Sequence, residues 1–411
     1  MAAAALLAGL LAPAVHAAPA APIQEGEGRE PRPQVDPYTE GKPKALAKAG
    51  YLSLGPFQLA TGQSTEQVVQ DLGGEPLLWA ETAHFKLGCS LDRIPLPEDR
   101  LLRKSVTEEL ERLGKRIPGL RKRPKELDPW LRLHLYAQRL EELHARFREV
   151  LGLSDEEFAA GKGAGVGSLK EIGRGAHFGM HGKPIALIFE KTAAMSRYAT
   201  LYLGGPTEKA FRQYFSQDDA FLFMTSMEQL VGSYDNDGAL HCTVAFGVVQ
   251  NLLNGFRGYT HNTPAWLEMG IARWFIRDID PRWQLYTAAP GEFLRGEDEV
   301  DWAPKVRARV EHRYFPTTAQ MFAWQDPNAL SFAEHMILWS RIDYLIGRDD
   351  GRTMRELLWR TMEPLPHDGA GTREEVAAAQ AARAFRDATG MEPEAFDEAW
   401  AAWVLKEYPA K

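Results

Sequence analysis

Cysteine is scarce: Cys89 and Cys242 are the only two in 411 residues. A disulfide-stapled scaffold is therefore excluded, and the two leave open either one cross-link or a pair of buried free thiols. Basic charge is not in excess, since 48 Lys and Arg stand against 56 Asp and Glu for a net −8. The chain thus lacks the overall positive field that nucleic acid would demand. Its one basic cluster, 115–125 (KRIPGLRKRPK), is broken by two prolines and reads as a solvated loop. The only membrane-span candidate, the Ala- and Leu-rich stretch at 2–17, is short for the purpose. There is no Gly-x-Ser-x-Gly elbow, no Gly-Lys-Ser/Thr phosphate loop and no complete dinucleotide fingerprint. No internal repeat occurs.

What is present reads as an ordinary globular composition, 45% hydrophobic and 25% charged, with room for two or three domains. Residues 2–17 carry no Asp, Glu, Lys or Arg, and Val15-His16-Ala17 before Ala18 has the form of a signal-peptidase site, although a basic leader is missing. Residues 1–17 are expected to be a signal peptide, so the chain is expected to be secreted or periplasmic. Residues 18–76 follow as a Pro- and Ala-rich tether to about residue 50 and an ambiguous stretch beyond it.

A mixed α/β lobe is expected over 77–235 and a helical lobe over 236–411. Residues 83–91 and the apolar runs 184–189 and 220–225 read as strands. Helical periodicity marks 97–113, 130–151 and 192–202. In the second of these, Leu133, Tyr136, Leu140, Leu143 and Phe147 form the apolar side. The glycine-rich stretch 161–182 reads as a flexible loop, in which the spacing of His177 and His181 has no helical meaning. Further helices are expected at 332–346, 351–362, 372–388 and 394–407, with His335, Trp400 and Trp403 as core residues.

The stretch 240–275 organises the rest. Residues 240–253 contain no proline and no charge, and Leu240, Val244, Val248 and Leu252 recur every four residues. Phe246, Val249 and Leu253 add a second apolar side, so this helix is expected to be buried nearly all round. A Gly- and Asn-rich loop follows. Thr263 and Pro264 then suit an N-cap and a first-turn proline for a second helix over 265–276.

Trp266-Leu267-Glu268-Met269-Gly270, placed after such a helix and loop, resembles the Trp-Leu-x-Glu-Gly segment of gluzincin metallopeptidases. In that family the first helix carries His-Glu-x-x-His, two histidines binding zinc and the Glu acting as general base. The family spacing implies that Phe246 and Gln250 stand at the two histidine positions, Gly247 at the Glu position and Met269 at the third-ligand position. Gln250-Asn251-Leu252-Leu253 resembles the segment that closes the family helix. A competing register, starting at His241, retains one histidine but places Pro264 at the third-ligand position.

All four zinc-site positions are therefore changed. Phe and Gly supply no ligand, and an amide and a thioether are poor ones. Once the metal is gone a buried Glu is an unpaired charge, so neutral replacements favour the fold. A mid-helix glycine at 247 costs about 1 kcal/mol relative to alanine, so a close neighbour is expected against it.

The resemblance implies an α+β protein: an N-terminal mixed α/β lobe with a small sheet, then a mostly helical, gluzincin-like lobe. In gluzincins an edge strand of that sheet binds peptide backbone, so a retained edge is the expected binding surface. His241, His261, Glu268 and Arg273 would line any residual pocket. No catalytic residue, metal or cofactor is expected. The expected function is binding or scaffolding in the cell envelope, with a peptide or another envelope protein as partner and no nucleic acid. The alternatives are an active hydrolase with a rebuilt site using His241, His261, Glu268 or Cys242, and a purely structural envelope protein.

Overall fold

The strand-forming runs converge on one mixed sheet. The structure, a computed structural model, describes residues 35–117, 119–120, 124–153, 155–158, 173–230, 237–259, 261–283, 300–324, 326, 329–365 and 371–410. Helix α1 (Pro43–Ala49) opens on proline and ends at Gly50, whose φ of 87° is left-handed. It runs into β1 (Tyr51–Ser53). Helix α2 (Thr65–Asp71) is capped by Ser64, whose side chain accepts from the Gln67 N–H. A hairpin of β2 (Leu78–Thr82) and β3 (Lys86–Cys89) follows. Two short strands, β4 (Ile94–Pro95) and β5 (Glu126–Leu127), pair across α3 (Arg100–Arg116). Then come α4 (Pro129–Val150), β6 (Ile185–Phe189), α5 (Thr192–Tyr202), β7 (Phe211–Phe215) and β8 (Ala220–Ser226).

The six-stranded sheet has the order β1-β2-β3-β6-β8-β7. β6 lies parallel to β3 and β8, and the other neighbours are antiparallel. Side chains alternate across it with period two. Ile185, Leu187, Phe189, Leu222 and Met224 pack with Trp79 and with Met195 and Tyr198 of α5. Ala186, Ile188 and Phe223 belong to the other core, which holds α4 and the C-terminal helices. The sheet is covered on both faces.

Helices dominate the remainder: α6 (Asp237–Gly255), α7 (Ala265–Ile279), α8 (Trp302–Glu311), α9 (Thr318–Phe322), α10 (Phe332–Gly347), α11 (Arg352–Thr361), α12 (Arg373–Thr389) and α13 (Pro393–Glu407). Three of them begin with reciprocal capping boxes, Thr317 with Gln320, Ser331 with Glu334 and Thr372 with Glu375. The architecture is α+β, a mixed α/β N-terminal part with its small sheet and a mostly helical C-terminal part. One core cluster includes residues from Ala49 to Tyr408. No helix among the described residues is long and apolar enough to cross a membrane.

The tether expected up to residue 50 needs correction from Asp36 onward, because polar side chains there are buried and partnered. Asp36 Oδ1 lies 3.1 Å from His134 Nε2 on α4, and the Tyr51 hydroxyl lies 2.6 Å from His134 Nδ1. Tyr38 also bonds Asp128, the N-cap of α4. Residues 1–17, expected to be a signal peptide, lie outside the described residues, as does 161–172 of the glycine-rich segment. Its described end is not a free loop. Gly173 and Gly179, both left-handed, sit so close to the Arg257 backbone that a β-carbon on either would lie 2.6 Å from it.

Candidate functional site

Helix α6 has no polar stripe to turn outward, and it is buried from Asp237 to Gly255 save for His241. Gly255 ends it, and α7 begins at Ala265 with Pro264 as its N-cap. Thr263, expected in that role, instead donates its backbone N–H to Asn254 Oδ1 at 2.8 Å. The two helices pack antiparallel through a ladder of facing residues. Phe246 lies opposite Arg273, whose guanidinium stands 5.9 Å from the ring centre. Gln250 Nε2 lies 3.6 Å from Met269 Sδ. Asn254 Nδ2 donates to Glu268 Oε1 at 3.2 Å. The positions the resemblance assigns to the second histidine and the third ligand thus touch, and Phe246 is one turn away.

The seam is filled. Phe246, Gln250, Glu268, Met269 and Arg273 are all buried. Gly247 faces the sheet, where a β-carbon would lie 2.1 Å from the Phe223 ring of β8. This is the close neighbour that a glycine in mid-helix calls for. The chemistry of the seam is that of a packed core, a ring, an amide and a thioether, none of them a good zinc donor.

One carboxylate remains beside it. Glu268 is held by Arg212 of β7, whose Nη1 lies 2.7 Å from Oε1, and by Asn254. Burial pushes the Glu268 carboxyl above its ordinary range, only partly opposed by Arg212 and the two hydrogen bonds. Arg212 carries no sequence signal. Every position of β7 is half-buried, so the Phe-Arg-Gln-Tyr-Phe run shows neither alternation nor a solid apolar block.

The four residues expected around a residual pocket are dispersed. His241 sits at the start of α6, with Nδ1 3.8 Å from Glu109 Oε1. His261 lies in the α6–α7 connection, hydrogen-bonded to the Thr361 backbone. Glu268 turns to β7 and Arg273 to Phe246. Among the described residues no three His, Cys, Asp or Glu side chains converge as a metal site. Cys242 is a buried thiol pointing at the Ile276 carbonyl at 3.8 Å, and burial pushes its pKa up. Cys89 is buried on β3 and is not joined to it.

Two polar clusters escaped the sequence reading. The first joins α3, α4 and α6. Arg139 Nη2 lies 2.6 Å from Asp237 Oδ2 and donates to Glu109 Oε2 at 2.8 Å. Tyr136 donates its hydroxyl to Asp237 at 3.1 Å, and Arg132 donates to the Asp92 carbonyl at 2.8 Å. Burial works to raise the Asp237 carboxyl, but Arg139 and Arg132 hold it below its ordinary value. Burial and the Arg139 charge keep His241 neutral. Arg132, Tyr136 and Arg139 follow one another at helical spacing, the sole signal for this cluster. That spacing fits a solvated helix face equally well.

The second cluster lies where the β2–β3 turn meets α4. Glu141 accepts from His84 twice, at the backbone N–H (3.0 Å) and across 2.6 Å at Nδ1. His144 stacks between His84, with centroids 3.8 Å apart, and Phe178, at 4.5 Å. Burial opposes ionisation of Glu141, yet the His84 hydrogen bond and charge bring it down to about 2. Burial and the His84 charge press His144 down to about 3.

No family model matches the chain, and neither a curated protein nor a solved structure matches it.

Proposed function

We propose that the chain is a non-catalytic, metallopeptidase-like binding module of the cell envelope, and that its ligand is an extended peptide segment. The observation that carries this reading is the Gln250–Met269 contact. It supports the register in which Phe246, Gly247, Gln250 and Met269 occupy the zinc-site positions of a gluzincin. Those side chains suit a packed core and not a metal. Export rests on the leader-like composition of residues 2–17.

With the α6–α7 seam filled, the ligand surface moves to the sheet. β7 is an edge strand, and among the described residues no strand pairs with its outer side. An extended peptide can add there through main-chain hydrogen bonds. Arg212 and Tyr214 share one face of β7. Arg212 is tied to Glu268, and the Tyr214 ring packs against Tyr259, with centroids 4.5 Å apart. The strand is thereby fixed to the helical part before a ligand arrives.

The test is hydrogen–deuterium exchange of the full chain with extended peptides of alternating apolar sequence. Binding should slow exchange across 211–215, and alternate backbone N-methylation of the peptide should abolish it. Protection elsewhere, or indifference to N-methylation, would overturn the reading.

A further inference from the structure

Helix α8 presents Lys305, Ala308, Arg309 and His312 at spacings of three and four, so all four line one side. Across from them α10 offers Phe332 and Met336, and the exposed Tyr314 closes the end. Together they line an open, shallow groove of about 520 Å³, a volume within the roughly 300–1,000 Å³ of small-ligand sites. Ala308, another lining residue, ends at Cβ and takes up little of the groove.

The charges in this groove are one-sided. Lys305, Arg309 and His312 line it with no carboxylate among the lining residues. The neighbouring acid, Glu311, is engaged by Arg307 at 2.9 Å. The two longer cations rest instead on ring faces. Lys305 Nζ stands 5.6 Å from the centre of Phe332, and the Arg309 guanidinium 5.5 Å from that of Tyr314. A cation on a ring face keeps N–H donors for another acceptor. Among the described residues none of Lys305, Arg309 and His312 is paired with a carboxylate, in a chain whose net charge is −8.

We propose that this groove binds a small organic anion with an apolar body. Its carboxylate would lie between Lys305 and Arg309, and its aromatic or aliphatic part on Tyr314, Phe332 and Met336. A free apolar acid and the C-terminal residue of a peptide share this chemistry. The site is independent of β7 and of the α6–α7 seam.

The experiment is ligand-observed NMR on the full chain with N-acetylphenylalanine, a tetrapeptide Ala-Ala-Ala-Phe as free acid, the same tetrapeptide as C-terminal amide, and inorganic phosphate. One or both acids should bind, identifying the source, while the amide and phosphate bind at least tenfold more weakly. Lys305→Met and Arg309→Met should each weaken the acid by about tenfold, the loss of one charge-assisted hydrogen bond. Ala308→Trp should abolish binding by filling the groove, with circular dichroism confirming that each variant is folded. Equal binding of amide and acid, equal binding of phosphate, no binding of either acid, or binding unchanged in a folded Ala308→Trp protein would overturn the proposal.

Discussion

The Phe223 ring occupies the place that a β-carbon on residue 247 would take, with Cε2 of the ring 2.1 Å from that position. The Phe223 ring of the sheet therefore packs directly on the backbone of the central helix, with no side chain from residue 247 in the way. Gly247→Ala gains about 1 kcal/mol of helix propensity but overpacks the contact. A net loss of about 1–3 kcal/mol is expected in denaturant unfolding. In a Phe223→Ala background the same substitution should cost less, since the obstructing ring is gone. An additive double-mutant cycle would show that the ring is not the obstacle.

Glu268 is a buried carboxylate whose folded-state pKa is raised. The folded chain then holds a proton that the unfolded chain has released between the ordinary value of 4.5 and the raised one. Stability contributed by this group falls as pH rises through that window and stays low above it. Glu268→Gln should accordingly be no less stable than the parent at pH 7, with the difference shrinking towards pH 4.5. Arg212→Met, which strands the charge, should destabilise the chain at pH 7. Thermal melts at both pH values check the pair, and a strongly destabilised Glu268→Gln protein at pH 7 would contradict this assignment.

Arg139 neutralises two buried carboxylates, Asp237 and Glu109. Arg139→Leu leaves both without it, and a loss of about 3–5 kcal/mol is expected from the stranded charge. Because Asp237 is held below its ordinary pKa of 3.8, the parent loses this contribution only as pH falls through and below that value. The variant should therefore regain ground relative to the parent in strongly acidic buffer. Urea titrations at pH 7 and pH 3 measure the effect.

His144, pressed down to about 3 from 6.5, is neutral in the folded protein and takes up its proton on unfolding between those values. Stability falls as pH drops through that window, by up to about 1.4 kcal/mol per unit for this one group. His144→Phe keeps a ring between His84 and Phe178 and removes the titration. Between pH 6.5 and 4.5, above the region where Glu141 contributes, the variant's stability should fall less steeply than the parent's. Parallel slopes would show that His144 does not carry the effect.

Much of the fold could be read from the chain, and the reasons differ by element. The runs 185–189 and 220–224 are apolar because the sheet is covered on both faces, and short apolar runs of that length read as buried strands. Helices α10 and α12 are expected from the sequence, while their Ser331–Glu334 and Thr372–Glu375 capping boxes came with the structure. The long helix α4 announced itself by its periodicity. β7 did not, because an edge strand half-buried at every position imposes no pattern. Nor did the folded segment around Asp36, whose order comes from His134, 98 residues away in sequence. At the α6–α7 seam the structure sets Gln250 opposite Met269, the two positions that the gluzincin resemblance singles out. The dispersal of His241, His261, Glu268 and Arg273 depends on what each meets from α3, α11, β7 and the α7-facing side of α6, which no local pattern encodes.

The proposed function rests on the four positions that the gluzincin resemblance assigns to a zinc site forming a packed core without metal. Its most direct test is the zinc content of the purified chain, by elemental mass spectrometry after dialysis against metal-free buffer. No donor at Phe246 or Gly247 and only poor ones at Gln250 and Met269 predict far less than one zinc per chain, with unfolding unchanged by a chelator. A stoichiometric zinc that survives dialysis, lost together with stability on chelation, would contradict the account. The site would then have to be sought among ligands other than these four.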